Sequence, residues 1–121
     1  MDSHEHATAL ACIVDAIPST ERSAHFSLLS HLFGTRVQAK VDVPNGSAFR
    51  FPPDAFGQLA EFVSRERLCC PFLAFEIRVL ADHGPLWLHM TGPEGTREFL
   101  AAELPAASGV KLTLRKVVSE F

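Results

Sequence analysis

The sequence contains no tyrosine, and one tryptophan against ten phenylalanines. Its aromatic content is of the kind that fills cores rather than decorating binding surfaces. Basic charge is not in excess: 11 Lys and Arg face 14 Asp and Glu, for a net charge of -3. A phosphate backbone finds no footprint here, so nucleic acid is not expected as a partner. No apolar run approaches membrane-spanning length, and the polar opening Met1 to His6 lacks the Lys or Arg of a secretory leader. No membrane association and a cytoplasmic location are therefore expected. Several motifs are absent too: Cys-x-x-Cys, Gly-x-x-x-x-Gly-Lys, His-Glu-x-x-His and Gly-x-Ser-x-Gly. The three cysteines are too few and odd in number for a disulfide framework, which fits a reducing compartment.

What is present suffices for one domain. A chain of 121 residues, 47% of them hydrophobic, can bury a core without disulfides or metal. Residues 1–8 read as a loose tail. The short apolar run Ala9 to Val14 reads as a strand, although periodicity cannot separate strand from helix over six residues. Ser19, Thr20 and Glu21 open a helix with a stripe of His25, Leu28, Leu29 and Leu32, closed by Gly34 as a left-handed cap. A period of two follows, with Val37, Ala39, Val41 and Val43 on one face. Asn45-Gly46 signals a hairpin, and Phe49 and Phe51 face the core on the return strand.

Asp54 caps a second helix with a stripe of Phe56, Leu59, Ala60 and Val63, and Pro71 ends it. Phe75, Ile77 and Val79, a turn at Asp82-His83-Gly84, and Leu86, Leu88 and Met90 make a second hairpin. Thr91 and Glu94 form a capping box for a third helix ending at Pro105, and Val110 to Arg115 reads as a last strand. This is an α+β chain of repeated strand-strand-helix units. It predicts a four- or five-stranded antiparallel sheet with helices on one face. If the Trp87, His89 and Thr91 face is open, a homodimer is expected to cover it.

Cys69 and Cys70 carry the most chemistry. They are adjacent, and Pro71 fixes them at a helix C-terminus, where free carbonyls favour a cation. Thiolates are soft ligands suited to Hg(II), Zn(II) or Cu(I). The pair can also close into a vicinal disulfide as a redox switch. The same helix dipole disfavours a free thiolate, an effect that Arg65 and Arg67 would partly offset. Against chemistry stands burial: Cys70 lies seven residues after Val63, in phase with the apolar stripe, and free cysteine is among the most buried residue types. Cys12 is either a small core residue or a third thiol. Three converging thiols would suit Hg(II) or trivalent arsenic.

The histidines are scattered. His4 and His6 lie in the tail, His25 reads as a core or boundary residue, His31 as exposed, His83 as a turn residue, and His89 lies beside Trp87. Glu66 reads as a solvated helix charge, and Gly92-Pro93-Glu94-Gly95 as a turn and cap rather than an anion site. Three functions remain open: a small soft-metal or metalloid binder, a thiol-dependent redox enzyme, and an interaction domain whose cysteines merely pack.

The run Glu66-Arg67-Leu68-Cys69-Cys70-Pro71-Phe72, with Phe75-Glu76, Gly84-Pro85-Leu86-Trp87-Leu88, Thr91-Gly92-Pro93-Glu94-Gly95 and Glu98-Phe99-Leu100, resembles a group of short bacterial proteins with a Cys-Cys-Pro-Phe motif. The likeness starts near Cys12, includes Phe49-Arg50-Phe51-Pro52 and stops before Val110. Members of that group are largely uncharacterised, and some are associated with heavy-metal resistance. The resemblance thus implies interest in the thiol pair without implying an activity.

Overall fold

A computed structural model describes residues 10–104. Four antiparallel strands, β1 (Ala39–Val43), β2 (Gly46–Phe51), β3 (Ala74–Val79) and β4 (Leu86–Thr91), form one sheet in the order β1-β2-β4-β3. Helices α1 (Arg22–His31), α2 (Phe56–Cys69) and α3 (Thr96–Glu103) pack against it. The chain is α+β, as the repeated strand-strand-helix order implies. The expected fifth strand, Val110 to Arg115, and the closure at Pro105 lie outside the described residues, as do His4 and His6.

The first segment is not a strand. Residues around Cys12 have no sheet partner; the backbone N–H of Ile13 donates to the Cys69 carbonyl at 2.7 Å, and a 3-10 turn follows at Val14–Ala16. This segment docks on the end of α2 rather than joining the sheet. Another 3-10 turn, Ser19–Glu21, leads into α1, with no side-chain cap. Gly34 does not stop α1 in a left-handed conformation. It sits inside a π-helical turn, Leu32–Arg36, closed by Val37 N–H on the Leu32 carbonyl at 2.8 Å. That wider turn sends both Leu32 and Phe33 into the core.

Phe33 is the hub. Its ring meets those of Phe49, Phe51 and Phe62 edge-on, at centroid distances of 5.1, 5.5 and 5.4 Å. Each such pair adds about 0.5–1.5 kcal/mol to the burial itself. The core-facing assignment of Phe49 and Phe51 is correct. The β1 valines belong to the other face: Ala39 pairs Arg50 and Val41 pairs Ala48, and directly opposed residues share a face. Ala39, Ala48 and Trp87 form a small second cluster there, with Val41, Val43 and Leu80 against it. Trp87 lies in register between Arg50 and Arg78 and is fully buried. Trp87 itself is thus covered, while His89 and Thr91 of the same strand are half-buried.

The hairpin between β1 and β2 turns one residue before Asn45-Gly46. Pro44 and Asn45 are the loop, Asn45 has φ 56°, and Gly46 already pairs Val43. Gly46 is required for another reason: a Cβ there would fall 2.0 Å from the Met90 carbonyl oxygen of β4. In the second hairpin, Asp82 and His83 both adopt positive φ, 59° and 55°. The capping box does not form either. α3 starts at Thr96 behind Gly95, whose φ of 97° admits the turn, and Thr96 Oγ1 donates to the Pro93 carbonyl at 2.6 Å.

In α2 the buried stripe is rotated from the expected one. Leu59, Phe62, Glu66 and Cys69 face inward, whereas Phe56 is 49% exposed and Ala60 is on the surface. Asp54 does not cap α2; it pairs with Arg36. Phe33→Ala is expected to destabilise the fold by about 3–5 kcal/mol through the cavity it leaves. Phe56→Ala, on the surface, is expected to change stability by about 0.5 kcal/mol or less. Urea midpoints of the two variants measure the contrast, and similar shifts would contradict this core.

Candidate functional site

α2 ends where Pro71 requires. The residue before it, Cys70, leaves the helix with φ -123° and ψ 75°. Its N–H still donates to the Glu66 carbonyl at 2.7 Å, and Leu73 N–H returns to the Cys70 carbonyl at 3.0 Å. Pro71 thus occupies the second position of a β-turn, where its fixed φ is favoured. This geometry turns both vicinal side chains inward: Cys69 is 1% and Cys70 0% exposed. Two structural ties bring the Cys12 segment over them. Ile13 N–H holds the Cys69 carbonyl, and Arg22 Nε holds the Ile17 carbonyl at 2.9 Å, with the Ile17 side chain in the core.

The result is a cluster of three sulfurs. The Sγ atoms of Cys12, Cys69 and Cys70 all lie within 4.8 Å of one another. Cys12 Sγ and Cys70 Sγ are 2.8 Å apart, all three cysteines are free thiols, and Cys12 is half-buried, forming the open side. The structure therefore combines features of both readings of the pair. The vicinal sulfurs pack in the core and also converge on a third thiol. No histidine or carboxylate joins this cluster among the described residues.

Behind the sulfurs lies a polar chain. The Cys70 thiol donates to Glu66 Oε2 at 3.4 Å, and Glu66 Oε1 meets His25 Nε2 at 2.7 Å. Glu66 is 5% exposed and His25 fully buried, so Glu66 is not the solvated helix charge that its type suggests. His25 is fixed by stacking on Phe62, 5.6 Å between centroids at 9°, and by an edge contact with Phe26. Its Nδ1 has no hydrogen-bond partner. The arrangement with fewest unmet donors places the proton on Nε2, donating to the Glu66 carboxylate, and we assign that tautomer.

Electrostatics separate the three thiols. Cys12 is held below the usual thiol range, chiefly by its contact with the Cys70 sulfur, against an opposing effect of burial. Cys69 is pushed up to about 12, first by burial and then by Cys12 and Glu66. Cys70 is pushed up as well, first by its contact with Cys12, then by burial and by the adjacent Glu66. The expected help from Arg65 and Arg67 is not seen: Arg65 pairs with Glu61 and, at 3.6 Å, with Glu21, and Arg67 is exposed. His31 and His83 are exposed, and His89 lies on β4, where burial and then Arg78 lower its pKa. Reading the residues missed the Glu66–His25 pair. The available signal was their spacing, since Glu66 falls four residues after Phe62 and seven after Leu59, on the buried stripe.

No family model, curated protein or solved structure matches this chain.

Two outcomes are expected. With a limiting alkylating agent at about pH 7.5, Cys12 should react first, and Cys69 and Cys70 should follow only at higher pH or on unfolding. Peptide mass mapping reads the order, and first labelling at Cys70 would contradict the assignment. His25→Phe strands the Glu66 carboxylate and should cost about 3–5 kcal/mol at neutral pH, whereas pairing it with Glu66→Leu should recover most of that loss. Denaturant unfolding of the single and double variants tests this.

Proposed function

We propose that this protein binds a soft metal or metalloid ion through Cys12, Cys69 and Cys70. The observation that carries the reading is the convergence of three free sulfurs within 4.8 Å, drawn from two segments 58 residues apart. Chance core packing does not require a surface segment to be tied by its backbone to the helix end that carries the other two thiols. Soft ions such as Hg(II), Cu(I), Zn(II) and trivalent arsenic match sulfur donors. The exposed side of Cys12 is the entry. The resemblance to Cys-Cys-Pro-Phe proteins, some associated with heavy-metal resistance, agrees with this role; a reducing, cytoplasmic setting would keep the thiols free.

A thiol redox function is the second reading, favoured by the 2.8 Å separation of Cys12 and Cys70. Closing that pair removes two electrons and two protons and removes two of the three ligands. A nucleophilic enzyme is less well supported. The nearest ring, His25, reaches Cys70 only through Glu66.

Metal titration of the reduced protein, followed by thiolate-to-metal absorbance, is the test. One ion per chain is expected, with affinity lost by about tenfold or more in each of Cys12→Ser, Cys69→Ser and Cys70→Ser. The raised pKa values of Cys69 and Cys70 mean that a divalent ion must displace their protons, so its binding should strengthen as pH rises. Equal binding by parent and variants would remove the site. Capacity abolished by mild oxidation and restored by reductant would establish the Cys12–Cys70 disulfide as a competing state.

A further inference from the structure

We propose that the three-sulfur site is built for a trivalent metalloid hydroxide, with arsenous acid as the probe, in preference to a divalent cation. This rests on the reading of the three cysteines as ligands and adds the class of ion they select. Two observations carry it, one of donor number and one of charge.

The donor set stops at three. Among the described residues, no fourth ligand atom groups with all three sulfurs; Glu66 Oε2 touches only that of Cys70, at 3.4 Å. Structural zinc sites close with four protein ligands in a tetrahedron. A trivalent arsenic centre is complete with three sulfurs, because a lone pair occupies the remaining direction. It asks nothing further of the protein on the side where Cys12 opens to solvent.

The charge around the cluster points the same way. The partners of the Glu66 carboxylate are the His25 ring and the Cys70 thiol, and it lies 3.4 Å from the Cys70 sulfur in the protein interior. That carboxylate raises the cost of negative charge on each of the three sulfurs. Three thiolates around a dication carry a net negative charge next to it, with two of the sulfurs buried, which is the costly case for buried charge. Three thiolates around a trivalent centre sum to zero.

The exchange balances without any oxidant or reductant. Arsenous acid, As(OH)3, meets three thiols; three As–O bonds break and three As–S bonds form. Each thiol proton leaves on a hydroxide as water, giving three waters and no change in oxidation state. A neutral solute enters and a neutral complex remains. A dication taking the same three thiols must expel three protons and leave an anionic centre.

The experiment titrates the reduced, full-length chain with arsenite and, separately, with Cd(II), by calorimetry in two buffers of different ionisation enthalpy. X-ray absorption reads the arsenic coordination. One arsenic per chain with three sulfur neighbours is expected, with a net proton release near zero and an affinity changing by less than about threefold from about pH 6 to pH 8. Cd(II) should release protons and tighten by more than about tenfold over the same range. Glu66→Gln should tighten Cd(II) by about tenfold while leaving arsenite within about threefold.

Arsenic held by fewer than three sulfurs, proton release matching that of Cd(II), or equal tightening of both by Glu66→Gln would overturn the inference. Should Glu66→Gln fail to fold, the proton count and sulfur number of the parent protein decide alone. Cd(II) bound by the three cysteines without arsenite binding would reject the metalloid preference and leave the soft-ion reading intact. Binding of neither would reject both.

Discussion

The hydrogen bond between His25 and Glu66 is the constraint on which the centre of this molecule depends. A carboxylate at 5% exposure is tolerable only with a partner, and the partner comes from α1, 41 residues away in sequence. The pair therefore locks the rotation of α2 against α1. That rotation turns Phe62 toward Phe33 and directs Cys69 and Cys70 inward, so core packing and thiol placement follow from one contact. The pair also supplies the acceptor for the Cys70 thiol. Replacing such a pair by well-packed apolar residues is often neutral or stabilising, so its presence is weak evidence for stability and better evidence for what stands next to it.

The Cys12 segment is held by the same helix end. Helices leave their last carbonyls unmet, and here Ile13 N–H satisfies that of Cys69. A carbonyl that water would otherwise solvate thus becomes the anchor for the third sulfur. Pro71 has a matching part: it forces Cys70 out of the helix and folds the chain back at Leu73 toward β3. The vicinal pair is displayed by backbone rules rather than by side-chain packing alone.

These rules explain which parts were legible in the sequence. Both hairpins and the end of α2 rest on local signals, period two and the stereochemistry of proline, and the structure contains them. The loop of the first hairpin differs by one residue because β4 passes so close to Gly46 that this glycine must lie in the strand. The stripe of α2 was misplaced for a definite reason. Apolar periodicity counts Phe56 and Ala60 as inward and Glu66 as outward, whereas tertiary pairing with His25 reverses that. The β1 valines form a true alternation, yet alternation alone does not say which face is the larger core. Pairing with Ala48 and Arg50 decides it.

The placement of Cys12 was not legible at all, because a six-residue apolar run carries no long-range information and its docking site is a helix terminus. That is also why the sequence left packing and chemistry as rivals for the thiol pair. The structure dissolves the opposition. Burial of Cys69 and Cys70 removes them from general thiol reagents and raises the cost of ionising them, while the half-buried Cys12 keeps one sulfur in reach of solvent. On the proposed soft-ion reading, an incoming ion would meet Cys12 first and would gain the inner two only by replacing their protons. Such a site would respond weakly to ions that hold one thiolate and strongly to those that reward three. Its selectivity would then come from the penalty placed on the inner thiols, and the carboxylate of Glu66 is part of that penalty.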